Sequence, residues 1–119
     1  MKYGTKLHYE FENEDFKTTT NPNILKFLKH IDINYINCYK EYEFMYNDSN
    51  VVKHGIIDLM LEYDDHIDII DYKTNDIEDE HYKEQLKGYK EYISTITNKD
   101  INIYLYSIIQ DELLNIKNN

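Results

Sequence analysis

The sequence predicts an α/β domain, a mixed β-sheet flanked by helices. Three observations carry this. Two runs rich in β-formers, residues 51–63 and 66–73, are separated only by Asp64-Asp65, which is a hairpin signal. Tyr82, Leu86, Tyr89, Ile93 and Ile96 then recur at the spacing of an amphipathic helix. Beyond them Ile101-Asn102-Ile103-Tyr104-Leu105-Tyr106 alternates as a buried strand does.

In chain order, residues 4–16 read as a short helix carrying His8. Thr18-Thr19-Thr20-Asn21-Pro22 is a linker, and Asn21 before Pro22 is a helix start. Residues 23–31 are expected to be that helix, with Ile24, Leu25 and Leu28 inward. A first strand is expected near residues 41–46, ahead of the hairpin. Asn75-Asp76 can start the motif helix, whose positive end suits Glu78, Asp79 and Glu80. Residues after Gln110 read as a short helix or strand, and Lys117-Asn118-Asn119 as a frayed end. The expected organisation is one domain over residues 1–119, with a helical start at 4–31 and the sheet and motif helix at 41–106.

The hairpin fixes a register. With Asp64-Asp65 as the turn, Tyr63 faces His66, and facing residues have numbers that sum to 129. Asp58 then faces Asp71, and Ile56 faces Lys73, with facing Cβ atoms roughly 4.5–5.5 Å apart. Period 2 puts Asp71 and Lys73 on one face. Two carboxylates and an ammonium thus meet among apolar neighbours. The carboxylates repel unless something positive sits between them. Hard oxygens suit Mg²⁺ or Mn²⁺, and the lysine can orient a water or offset charge on a phosphate. The bland alternative is a solvated acidic face with an incidental lysine.

The motif residues are Gly55-Ile56-Ile57-Asp58, Asp71-Tyr72-Lys73-Thr74 and Gln85-Leu86-Lys87-Gly88-Tyr89. They follow an opening Gly4-Thr5-Lys6-Leu7-His8 and an acidic strand Glu41-Tyr42-Glu43-Phe44. Together this order resembles the RecB/AddA-type branch of the PD-(D/E)XK nuclease superfamily, with its G-x-x-D, D-Y-K-T and Q-x-x-x-Y. Each motif is weak alone; five in order, in a strand–strand–helix setting, are specific. The acidic residue after the histidine could be Glu10, Glu12 or Asp15, and the acidic strand residue Glu41 or Glu43.

The resemblance implies a restriction-endonuclease-like fold and metal-assisted phosphodiester hydrolysis. It implies that Asp58, Asp71, the carbonyl of Tyr72 and His8 hold the metal, Mg²⁺ or Mn²⁺. Lys73 would position the nucleophilic water, and Gln85 and Tyr89 would orient the site or touch DNA. Gly55 allows a close backbone approach, which could be that of a substrate strand. Nuclease domains of this branch commonly end a helicase–nuclease chain whose motor holds the DNA. The implied partners are therefore DNA, as ends or single strands, and a helicase domain or subunit. The chain would be an excised C-terminal domain or a small separate protein.

Composition bounds these expectations. At 119 residues there is room for one small core, to which the 13 tyrosines contribute along with Ile and Leu. Cys38 is the single cysteine, which excludes an internal disulfide, a zinc cluster and a cysteine-ligated iron–sulfur cluster. That departs from relatives of the AddB type, which carry four cluster cysteines. No apolar run is long enough to span a bilayer, and the expected compartment is the cytoplasm. The net charge of −10 and the absence of arginine argue against autonomous DNA binding. Lys83, Lys87 and Lys90 could form a local basic strip or simply a solvated helix face. His30, His54, His66 and His81 have no ligand spacing, although the register puts His54 on the face of Asp58. The competing class is a nuclease-fold DNA- or protein-binding module without useful turnover.

Overall fold

The computed structural model describes residues 3–74 and 80–117. Helices α1 (Tyr3–Asn13) and α2 (Pro22–Leu28) precede strands β1 (Asn37–Asp48), β2 (Val51–Glu62) and β3 (His66–Lys73). Helix α3 (Glu80–Ser94), β4 (Asp100–Ser107) and β5 (Glu112–Asn115) follow. The strands form one five-stranded sheet in the order β1-β2-β3-β4-β5. All neighbours are antiparallel except β3 and β4, which α3 connects in parallel. A mixed sheet flanked by helices is the α/β architecture expected, and it is compatible with a restriction-endonuclease-like fold.

Helices cover both faces. On one side Leu86, Tyr89 and Ile93 of α3 pack on Ile57, Met60, Ile69 and Ile103. On the other, Leu7 and Phe11 of α1 and Ile24 and Phe27 of α2 pack on Leu59, Leu61, Ile70 and Tyr106. An aromatic cluster ties this second layer together. The ring of Phe11 lies 4.6 Å from Tyr72, and Phe27 lies 4.8 Å from Tyr106. Asn21 caps α2 by accepting from the backbone N–H groups of Asn23 and Ile24, and Pro22 occupies the first turn, where its missing N–H costs nothing.

Two inward assignments are corrected. In α2 it is Phe27 that is buried, while Leu25 is 43% exposed. The helix is only two turns long, so its buried face follows Ile24 and Phe27 three residues apart. Ile96 lies past the end of α3 and is 56% exposed, because the helix stops at Ser94. The expected helix start at Asn75-Asp76 and the acidic Glu78 and Asp79 lie outside the described residues.

The hairpin register is the one the sequence dictates over its central part. Leu59 pairs with Ile70, Met60 with Ile69, Leu61 with Asp68 and Glu62 with Ile67. At the turn, the Tyr63 N–H donates to the His66 carbonyl at 2.8 Å, and their rings stack 4.4 Å apart. The ladder stops before Asp58 and Asp71, so Ile56 and Lys73 do not pair across it. The reason lies in β1 and β2. Leu59 and Leu61 pack under α1 and α2, yet Ile57 packs under α3. In β1, Cys38 lies on the α1/α2 side, while Tyr42, Phe44 and Tyr46 lie against the α3 core. Strict alternation would keep each set on one side. The two strands therefore roll over together, between Lys40↔Leu59 and Tyr42↔Ile57, at Glu41 and Asp58. Glu41 takes the left-handed φ of 50° at this point, a conformation that costs of order 1–3 kcal/mol for a residue with a side chain.

Beyond the roll, the β1–β2 ribbon runs on to a two-residue turn. Ser49 (φ 52°) and Asn50 (φ 68°) supply the paired positive φ angles of a tight hairpin connection. One face of the ribbon packs on α3, where Phe44 stacks on Tyr92 at 4.4 Å. This also corrects the expectation for Gly55. A Cβ there would meet the Phe44 ring at 2.5 Å, so the close approach is made by an aromatic ring of the core.

Candidate functional site

The roll at Glu41 and Asp58 opens β2 from β3 and leaves a shallow cleft of ≈ 340 Å³. Asp58, Asp71 and Lys73 line its floor, and His8 enters from α1. Gln85 and Tyr89 of α3, with His54 and Ile56 of β2, form its walls. Every side chain nominated from the sequence as catalytic therefore reaches one cleft, and so does His8. Tyr72 is represented by its backbone.

Asp58 replaces a missing ladder bond: its Oδ2 accepts from the Tyr72 N–H at 2.9 Å. The Tyr72 carbonyl on the same strand lies 2.9 Å from His8 Nε2, and that nitrogen is 3.7 Å from Asp58 Oδ2. A carbonyl can only accept, so Nε2 carries the hydrogen in this contact. The Tyr72 side chain points the other way, into the aromatic cluster. Its hydroxyl is buried without a hydrogen-bond partner, and burial drives its pKa well up.

The carboxyl groups of Asp58, Asp71 and Glu41 bear on one another. Burial, then the hydrogen bond and charge of Asp71, hold the Asp58 carboxyl far above the usual carboxylate range. Burial and the charge of Glu12 raise Glu41 as well. A protonated Asp58 carboxyl relieves the repulsion expected of neighbouring aspartates. Lys73 Nζ sits 2.9 Å from Asp71 Oδ2 and 3.9 Å from the centre of the Tyr82 ring. That oxygen nevertheless receives no well-directed hydrogen bond. The attraction is one of charge, and a lone pair remains unused.

The geometry bears on two ambiguities in the sequence. Glu41 belongs to the cluster, whereas Glu43 pairs with His54 at 3.2 Å on the ribbon. Of the acids after His8, Glu10 is taken by Asn21 and Asp15 by the Lys17 N–H. Glu12 bears electrostatically on Glu41. Tyr89 has a positioning part: its ring packs edge-on against Phe44 at 5.4 Å. Glu41 was nominated only as one of a pair, because a two-residue shift in β1 decides which acid faces Asp58. His54, read as solvent-facing or near the site, is half-exposed and lines the cleft.

Lys83 and Lys87 of the supposed basic strip pair with Glu80 and Glu84 on their own helix, at 3.1 and 3.6 Å. His30 pairs with Asp111, and His66 with Asp65. Cys38 is half-buried, and burial pushes its thiol pKa up, which suits an unreactive packing residue.

The chain is 36% identical over 87 residues to an ATP-dependent helicase/nuclease subunit of Clostridium botulinum strain Hall. The alignment covers 66% of this chain and 7% of that protein. This chain is similar to a helicase/nuclease subunit. The corresponding protein of Clostridioides difficile is 34% identical over 74 residues, 54% of this chain and 6% of that protein. The chain thus spans about 7% of the length of the first curated relatives it matches. No protein-family profile matches it. Among the described residues, no helix is long and apolar enough to cross a membrane.

The donor set suits a hard divalent cation. Glu41, Asp58 and Asp71 supply oxygens, Asp71 Oδ2 has an unused lone pair, and the Tyr72 carbonyl and His8 adjoin. As they stand, no three acidic, histidine or cysteine groups among the described residues have ligand geometry. Occupation by a cation would require the raised Asp58 carboxyl to lose its proton.

Proposed function

We propose that the chain is a single PD-(D/E)XK nuclease domain of the RecB/AddA type, hydrolysing phosphodiester bonds in DNA with Mg²⁺ or Mn²⁺. The observation that carries this is the meeting of Asp58, Asp71 and Lys73, with His8 and Gln85, in one cleft. The similarity to a helicase/nuclease subunit supports the same reading and suggests a cytoplasmic role in DNA recombination and repair beside a helicase.

Asp58, Asp71, the Tyr72 carbonyl and His8 would hold the metal, with Glu41 adjoining. A bound divalent cation supplies a more acidic water and offsets charge on the phosphoryl and leaving oxygens. Lys73, placed by Asp71, orients the attacking water and stabilises negative charge building on the phosphate. Gln85 offers an amide to a phosphate oxygen or a base edge. Tyr89 packs on Phe44 and so holds the β1–β2 ribbon against α3 beside the cleft. His8 braces the Tyr72 carbonyl and Asp58.

The test is cleavage of end-labelled single- and double-stranded DNA with Mg²⁺, Mn²⁺ or EDTA. Metal-dependent cleavage that Lys73→Ala removes is the expected result. No cleavage of either substrate with either metal overturns the enzyme reading. That would leave the second one, a nuclease-fold binding module, which the raised Asp58 carboxyl and the −10 charge favour.

A further inference from the structure

A groove of ≈ 720 Å³ lies where the α1–α2 linker, α2 and the segment leading to β1 come together. Phe16, Leu28 and Tyr35 are buried or half-buried at its base, while Leu25 and Ile33 stand 43% and 63% exposed at its sides. A second cavity of ≈ 400 Å³ shares Phe16, Lys17 and Tyr35 with it and runs on past Ile36, itself 59% exposed, to the start of β1. The two make one elongated apolar trough, and none of its residues lines the cleft. Its charge is opposite to that of the chain. Acidic residues outnumber lysines 23 to 13 overall, yet the main groove is lined by Lys17 and Lys29 and by no acid. Neither ammonium has a carboxylate within ion-pairing distance among the described residues. Lys17 Nζ stands 5.9 Å over the Tyr35 ring instead. The acid of the second cavity, Asp15, is tied to the Lys17 backbone N–H at 2.8 Å.

We infer that this trough is a docking surface for an amphipathic helix of a partner polypeptide. Its apolar face would sit on Leu25, Ile33 and Ile36, with acidic flanks against Lys17 and Lys29. Charge complementarity and shape select this occupant. Two unpaired cations rimming an apolar base call for an apolar ligand with anionic edges, which is the chemistry of a helix laid in a groove. Two cavities end to end suit something elongated. A nucleic acid is a poor fit, because its phosphates need cations in a row and an apolar base offers them nothing. A second copy of the chain is also a poor fit. Leu7 and Phe11 of α1, Ile24 and Phe27 of α2, and Leu86, Tyr89 and Ile93 of α3 are already spent on its own cores. The trough would serve in this way whether or not the cleft hydrolyses DNA.

The probes are labelled helical peptides with one leucine face and flanks of Glu, Gln or Lys, read by fluorescence anisotropy. At physiological salt the Debye length of about 8 Å lets the local lysines decide over the net charge of −10. The Glu-flanked peptide is expected to bind about tenfold tighter than the Gln-flanked one, the effect of two exposed ion pairs, and the Lys-flanked one should bind weakest. Lys17→Gln/Lys29→Gln should remove that ranking. Leu25→Gln/Ile33→Gln should remove binding, while Leu25→Met/Ile33→Leu should keep it. All four positions are exposed, so thermal melts should match wild type. Equal affinity for the three peptides, or a ranking that survives loss of both lysines, overturns the inference. So does tightest binding of the Lys-flanked peptide, or saturable binding of dodecanoate with none of any peptide, which would make the trough a site for a small anionic amphiphile. Dimerisation in sedimentation that Leu25→Gln/Ile33→Gln abolishes overturns it too, in favour of a second copy.

Discussion

Asp58 Oδ2 accepts a 2.9 Å hydrogen bond from the Tyr72 N–H, at the point where β2 leaves β3. A side chain thus does the work of a ladder carbonyl. The bond satisfies a backbone donor that the roll at Glu41 and Asp58 would otherwise orphan. It also pulls a carboxyl group out of water and against Asp71, so the same local event shapes the strand and creates the acidic cluster.

The first prediction follows from the proton on that cluster. Asp58 has its folded pKa raised, so it binds its proton more tightly folded than unfolded. The sign is fixed by linkage: its stabilising contribution is present below the unfolded value of about 3.9 and is lost as pH rises through the folded one. Glu14, Glu62, Asp65 and Asp111 are lowered by their hydrogen bonds, and theirs is lost on the acid side. Metal-free protein should therefore melt highest in mildly acidic buffer and lower at pH 8. Asp58→Asn, whose amide can still accept from Tyr72 and donate to Asp71, should melt above wild type at pH 8, with the gap closing towards pH 5. Melts in EDTA across that range check it, and a variant that melts lower at pH 8 contradicts the raised Asp58 carboxyl.

Lys73→Ala separates chemistry from metal binding. The ammonium lies 2.9 Å from Asp71, but the oxygens of the cluster come from other residues. Cleavage should fall by about 10²-fold or more, the usual cost of losing one preorganised charge. The rise in melting temperature on adding Mn²⁺ should survive; at 100 times Kd such binding is worth about 2.7 kcal/mol. A variant that cleaves at the wild-type rate refutes the role given to Lys73.

Tyr72 sits inside the D-Y-K-T pattern, yet its side chain belongs to the core. Its hydroxyl is buried without a partner, which costs roughly 1–3 kcal/mol. Tyr72→Phe keeps the ring contacts with Phe11 and Phe27 and keeps the backbone N–H and carbonyl that serve Asp58 and His8. It should raise stability by about 1 kcal/mol and leave cleavage unchanged. Denaturant unfolding alongside the DNA assay measures both, and a loss of stability would mean that the hydroxyl has a partner.

Much of this was legible in the sequence, for physical reasons. The turn at Asp64-Asp65 fixed the hairpin register, because period 2 makes a one-residue slip put apolar residues in water. The spacing of Leu86, Tyr89 and Ile93 placed α3, and the D-x-K alternation put Lys73 beside Asp71. The roll at Glu41 and Asp58 was not legible. It depends on a left-handed residue that is not glycine, and nothing in Glu-Tyr-Glu announces it. That one event hid the choice between Glu41 and Glu43, the end of the ladder at Asp58, and the true neighbour of Gly55.

Gly55 gives a prediction of its own. A methyl group at Gly55 would meet the Phe44 ring at 2.5 Å, and that ring is stacked on Tyr92 and cannot swing aside. Gly55→Ala should destabilise by about 1–3 kcal/mol through overpacking. Cleavage per folded molecule should change far less, because the clash is on the packed face of the ribbon, away from the cleft. Urea unfolding and activity at low temperature separate the two effects. A stable variant with abolished cleavage would restore the idea that this glycine makes room for substrate.

The last prediction concerns salt. Non-specific affinity for nucleic acid comes mostly from lysine and arginine displacing counterions, with log K falling by about 0.7 per log unit of salt for each single-strand phosphate contacted. This chain has no arginine and a net charge of −10. Lys83 and Lys87 are already paired with Glu80 and Glu84 of their own helix, and Lys73 is committed to Asp71. Exposed pairs of this kind are worth under about 1 kcal/mol, so phosphate can compete for those lysines, but each release leaves a glutamate facing the DNA. Binding by the chain alone should therefore be weak, with a salt slope shallower than about −2, the value for three full phosphate contacts. Replacing Lys83, Lys87 and Lys90 together by Gln should flatten the slope further without altering the metal requirement. Joining the chain to a DNA-holding helicase should raise cleavage strongly, because tethering supplies the local concentration that its own charge cannot. A salt titration of single-strand binding measures the slope, and tight binding with a steep one would show a cationic surface that these ion pairs do not leave room for.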